Sequence, residues 1–289
     1  MIRRPRPRCP SLPCIVLAMF AGVVAAEAES VGAEEWGSLE GQVVVQGDLP
    51  EVPFLFRKGA PLARDTAICA AMDVPDDSLV VDPAGRGLAN VFVYLKDPPP
   101  RIHPELRDPP PPPAEAVLMA QNCRLFPHAQ VLRTGQPLRV RSQQGEVPHT
   151  THFHLLANVA GPGLLSSDQT APWTFSRPEP LPTPVTCDIH PWMRSTILIK
   201  DHPYAAVTGA QGRFEIKHLP AGEQTFRVWH ERPGYLVREW KVNILPAKTV
   251  TAPVIEAAAE RLADPRRVAD PKTSRPAASP PSAGSPPLN

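Results

Sequence analysis

The 289-residue sequence predicts an all-β chain, and three features of it do so. Apolar and polar residues alternate with period two over short runs. Turn-forming residues punctuate those runs at sandwich-like intervals. No stretch before Val254–Leu262 carries a convincing helical period. With 42% hydrophobic residues the chain can bury a sizeable core in one or two domains, which excludes a fully disordered protein.

At the N-terminus Arg3, Arg4, Arg6 and Arg8 precede an apolar run from Ile15 to Ala26 that ends in small residues. This is the pattern of a secretory signal, so residues 1–29 are set apart from the fold and the chain is expected to be periplasmic or secreted. The run is short of the roughly 20 apolar residues a bilayer needs, with an uncleaved anchor as the alternative; no other segment could cross a membrane. Cys14 lies before the run, a poor place for a lipid-modified cysteine. Removing residues 1–29 moves the formal charge from +1 to about −1 and leaves no basic cluster, so nucleic acid is not expected as a partner. Cys69, Cys123 and Cys187 remain, an odd number for an oxidising compartment.

Along the chain, Gly41–Gly47 and Leu88–Leu95 read as strands and open a first β-rich part, residues 36–96. Residues 97–114 hold two proline runs that cannot donate to a ladder, and are expected to form an exposed polyproline-type linker. Strands then recur over 115–203: Gln130–Leu132, Pro137–Arg141, Thr151–Leu155, Trp173–Phe175 and Ser195–Ile199. Gly212–Ile216, Gln224–Trp229 and Glu239–Ile244 continue the pattern over 204–246. A helix is expected at Val254–Leu262, and residues 247–289 are assigned to a disordered tail, its composition falling to Pro, Ala, Ser and Arg after Asp264.

Cys187-Asp-Ile-His190-Pro-Trp-Met193 is the strongest local signal, placing a thiolate, an imidazole and a thioether within seven residues. An ion that cycles between Cu(I) and Cu(II) is well served by soft sulfur and borderline nitrogen, with two His and one Cys roughly trigonal and a weak axial Met. A second histidine is needed from upstream. His149, His152 and His154 are the candidates, and a Greek-key sandwich can bring that strand to the loop; His149 is the one chosen.

The Cys-x2-His-x2-Met loop resembles that of the cupredoxins, above all the short-loop form of amicyanin-like proteins, over roughly Val117–His202. The resemblance implies one copper ion held by His149, Cys187, His190 and Met193. Thr150 stands where these proteins commonly have an Asn that ties the two ligand loops together. The flanking segments Gly85-x-Gly87 to Tyr94 and Gly212 to Gly222 resemble a carboxypeptidase regulatory-like domain. The implied architecture is a cupredoxin β-sandwich inserted in, or flanked by, a regulatory-like β-sandwich, as in exported proteins described as methylamine-utilisation-like.

Bland readings stand beside these. Cys187 could pair with Cys69 or Cys123, although Cys69–Cys123 is preferred. His152 and His154 share a strand face and could hold a second metal, or be ordinary strand histidines. Trp192 could shield the metal, meet a partner or belong to the core. His103, His128, His202, His218 and His230 lack partner spacing and read as structural. Without a Ser-His-Asp spacing, a phosphate loop or a His-Glu-x-x-His motif, the chain is expected to be no enzyme but an electron carrier facing a redox protein. A copper-delivery module is one alternative, and a surface interaction protein with a non-functional loop another.

Overall fold

The computed structural model describes residues 35–49, 54–107, 116–143, 147–159, 163–165 and 172–263. The expected signal at 1–29 and the stretch from 264 onward lie outside the described residues. What is described is all-β, as expected: four sheets of four or five strands and one two-stranded ribbon, with helix limited to Thr66–Cys69 and short 3-10 turns.

Residues from the middle of the chain build one sandwich. Its five-stranded sheet runs Gly163–Leu165, His149–Phe153, Thr183–Thr186, Arg194–Lys200, Ala129–Arg133; its four-stranded sheet runs Pro172–Thr174, Pro137–Ser142, Ala116–Gln121, Arg124–Phe126. Leu118, Leu138 and Val140 of the smaller sheet meet Leu132, Val185, Ile197 and Ile199 of the larger in one buried cluster. The Arg194–Lys200 strand is buried at every position after its first, which its apolar run Ile197–Ile199 suits. The period of two explains why: Ile197 and Ile199 face this core, while Leu198 faces Phe92 and Tyr94 on the other side of the sheet.

The strands Phe92–Leu95, Ala205–Val207, Gly222–His230 and Gly234–Ile244 form a further sheet, which shares a second core with Trp36–Gln46, Arg213–Pro220, Thr249–Thr251 and Ile255–Ala258. Gly87 and Gly212, prominent in the sequence, mark where two backbones cross. A Cβ on Gly212, whose φ is +73°, would stand 2.1 Å from the Val43 carbonyl oxygen, and one on Gly87 would stand 2.0 Å from that of Gln211. Glycine alone permits this approach.

Two expectations are corrected. Val254–Leu262 is not an α-helix: Ile255–Ala258 joins the Val43–Gln46 end of the first strand as a parallel neighbour, and only Ala259–Leu262 coils into a 3-10 turn. The ladder offered by that strand outweighs a weak local preference, and Ala257, Ala259 and Leu262 are buried there. Residues 247–263 accordingly belong to the fold and not to a tail. The stretch expected as an exposed linker is, over its described part 97–107, exposed at most positions. Ile102 and Leu106 pack on the core, and the His103 N–H donates to the Tyr204 hydroxyl at 2.9 Å. That part is therefore anchored at these residues while the rest of it faces solvent.

Candidate metal centre

The loop 187–193 connects two adjacent strands, Thr183–Thr186 and Arg194–Lys200, and closes on itself. The Cys187 N–H donates to the Met193 carbonyl at 3.3 Å and the Met193 N–H to the His190 carbonyl at 2.9 Å. His149 opens the next strand over, paired to Thr183–Thr186. One ligand atom from each of His149, Cys187 and His190 lies within 4.8 Å of the others. The two Nδ1 atoms stand 3.0 Å apart, with the Cys187 sulfur 3.9 Å from His190 Nδ1. His149 and His190 are fully buried, and Cys187 and Met193 are 1% exposed. The backbone places Met193 at the closing end of the loop.

Cys187 is the free cysteine of the described residues, because Cys69 and Cys123 form the disulfide expected of them. Its sulfur faces two backbone donors, the N–H groups of Thr150 and His190, each at 3.4 Å. Such donors stabilise negative charge on sulfur. Thr150 also does the tying expected of an Asn at this position: its hydroxyl accepts the Asp188 N–H at 2.7 Å and thereby joins the His149 strand to the cysteine loop. Burial, with His190 adding to it, pushes His149 down to about 4, so its imidazole is neutral and keeps a lone pair at neutral pH.

One neighbour left almost no signal in the sequence. His190 Nε2 lies 2.9 Å from a carboxylate oxygen of Asp65, 125 residues away. A carboxylate can only accept, so Nε2 carries a proton, and the neutral ring then turns the Nδ1 lone pair toward Cys187 and His149. Asp65 precedes the short helix Thr66–Cys69, a place where Asp ordinarily caps, which is the one trace it leaves in the sequence. Trp192 lies against His190 at 5.0 Å between ring centres, meets Phe56 edge-on at 5.3 Å, and donates from Nε1 to the Cys123 carbonyl at 3.1 Å. It shields the loop and joins the core at once.

His152 and His154 do share a face, with their rings stacked at 4.4 Å. Each has another partner: His152 Nδ1 lies 3.2 Å from Asp188 and His154 Nε2 lies 2.9 Å from the Thr186 hydroxyl. Neither joins a three-residue metal-capable group among the described residues. His103, Glu105 and His218 do form such a group. Its imidazoles, however, are tilted by 36° with ring centres 4.1 Å apart, and His103 Nδ1 accepts the Glu105 N–H at 3.3 Å. One of the imidazole lone pairs is thereby already in use.

A scan against protein-family models found no match, and a search of curated proteins found none. Among solved structures, an oxidised amicyanin variant matches with 18% identity and a TM-score of 0.26, over 29% of this chain and 81% of that one. Amicyanin from Paracoccus versutus matches with 14% identity and a TM-score of 0.27, over 37% and 96%. The copper-containing nitrite reductase of Thermus scotoductus SA-01 matches with 15% identity and a TM-score of 0.25, over 30% and 22%. Scores this low fix neither a family nor a function.

Proposed function

We propose that this chain is an exported mononuclear copper protein that carries single electrons, with copper held by His149, Cys187, His190 and Met193. The observation that carries the reading is the convergence of two neutral-capable imidazole nitrogens and one thiol sulfur within 4.8 Å, all buried. The donor set fits the metal. One soft sulfur and two borderline nitrogens, with a thioether close by in sequence, suit an ion that must be comfortable in both oxidation states, and hard-oxygen metals have no ligand here.

When bound, copper would supply the acceptance and release of one electron. The chain's own residues supply the rest. The N–H groups of Thr150 and His190 point at the sulfur, Thr150 locks the two ligand segments together, and Trp192 packs on His190 and keeps water from the loop. No helix among the described residues is long and apolar enough to cross a membrane. In this reading the second sandwich is the regulatory-like support its glycine motifs resemble, and the partner is another redox protein.

The test is Cu(II) loading of the protein from about residue 29 onward, with visible and electron-paramagnetic-resonance spectra beside those of Cys187→Ala. An intense sulfur-to-copper band, absent in the variant, together with a reversible one-electron potential, is the expected result. A copper-loaded protein without that band, or one that takes up no stoichiometric copper, would overturn it.

A further inference from the structure

We infer that the segment Phe54–Pro75 is a cap over the metal centre, and that Asp65 is the positioning residue through which the cap fixes His190. The inference rests on the copper reading above and adds a residue to it. The two ends of the segment pair as a short ribbon, Phe54–Phe56 with Val74–Pro75, and the helix Thr66–Cys69 lies between them. Phe56, Cys69, Ala70 and Val74 are buried in the same cluster as Cys187 and Met193.

Asp65 is held in an unusual way for this purpose. It occupies the position before the helix where an Asp side chain ordinarily accepts a helix N–H, an interaction of roughly 1 kcal/mol. Here its side chain makes no such bond. The backbone carbonyl of Asp65 takes the N–H groups of Ile68 and Cys69 at 3.0 and 2.8 Å, and its φ is +53°, left-handed for a residue that is not glycine. The carboxylate is freed and meets His190 Nε2 at 2.9 Å. A forgone cap and a left-handed backbone at one residue are both unfavourable locally, and the contact with His190 is what they make possible.

The cap is fastened where this matters. Cys69, at the end of the same helix, is bonded to Cys123, whose carbonyl accepts the indole N–H of Trp192, the ring against His190. Helix, disulfide, Trp192 and His190 thus form a closed circuit. Donating to a carboxylate fixes an imidazole's tautomer and orientation and makes its other nitrogen a stronger ligand. Asp65 should therefore strengthen Cu(II) binding more than Cu(I) binding and lower the reduction potential.

The experiment compares wild type with Asp65→Asn, and with Asp73→Asn as a control on the same segment, since Asp73 pairs with Arg57 at the surface. Cu(II) affinity by competition, the reduction potential, and solvent exchange of the His190 Nε2 proton in copper-free protein are measured. Expected for Asp65→Asn are a Cu(II) affinity about 10- to 100-fold weaker, faster Nε2 proton exchange, and a potential higher by about 59 mV for each tenfold change in relative affinity, with Asp73→Asn like wild type. A wild type that shows the sulfur-to-copper band while Asp65→Asn keeps its affinity, potential and proton exchange overturns the role of Asp65 alone. A wild type that binds no copper overturns the copper reading, and this inference with it.

Discussion

Thr150 shows how a single side chain ties together the two segments that carry the proposed ligands. Its hydroxyl accepts the Asp188 N–H at 2.7 Å while its own N–H points at the cysteine sulfur, so a β-branched alcohol ties two segments 38 residues apart. Thr150→Val keeps the shape and removes the acceptor. It should lower stability by about 1 kcal/mol and speed hydrogen exchange at the Asp188 amide, while Cys187 remains available to copper. Unchanged exchange at that amide would show that the tie lies elsewhere. Cys187 and Asp65 are the other residues on which the site turns, and the spectra and affinities described above address them one at a time.

Among the elements, the cap stands out because so little apolar surface belongs to it alone. Its helix has four residues, far below the length at which a helix is stable in water, and the pairing of Phe54–Phe56 with Val74–Pro75 is a short ribbon. The disulfide closes a sequence separation of 54 residues, for which loop-closure entropy gives a stabilisation of about 4 kcal/mol. The Cys69→Ser/Cys123→Ser protein should lose roughly that much in urea unfolding, and segment 54–75 should become the first part cut by a protease. If the double variant matches wild type in both, the cap is held by packing and not by its latch. By contrast, the Arg194–Lys200 strand needs no latch, since both of its faces are covered.

For the molecule as a whole, burial of histidines sets the pH dependence. Burial pushes His202 and His230 each down to about 4, whereas an unfolded imidazole titrates near 6.5. Between those values the unfolded chain binds protons that the folded one refuses. Their contribution to stability is complete above pH 6.5 and is lost as pH falls toward 4. His128 runs the other way: burial opposes its charge, but the Glu231 carboxylate bonded to it holds it above 6.5, so its contribution is present in acid and fades as pH rises. His149, pushed down in the same way, acts with them in copper-free protein, and three groups against one should make its urea midpoint fall between pH 7 and pH 4.5. A midpoint that held or rose over that range would mean the His128–Glu231 pair outweighs the other three.

The sequence by itself determined the all-β class, since period-two alternation is a local property, and it brought out Cys187 and His190 together as candidate ligands, since a short loop sets their spacing. It also singled out His149 and the Cys69–Cys123 pair. Tertiary structure decided the rest. Whether Ile255–Ala258 is helix or strand depended on the free edge of Trp36–Gln46, which no local pattern announces. Asp65 reaches His190 across 125 residues through a left-handed turn, and Trp192 serves core and site together only because the Cys123 carbonyl stands where its N–H points. Ligand chemistry is written in residue type and spacing, whereas the groups that orient a ligand act through distance in space, which the fold alone sets.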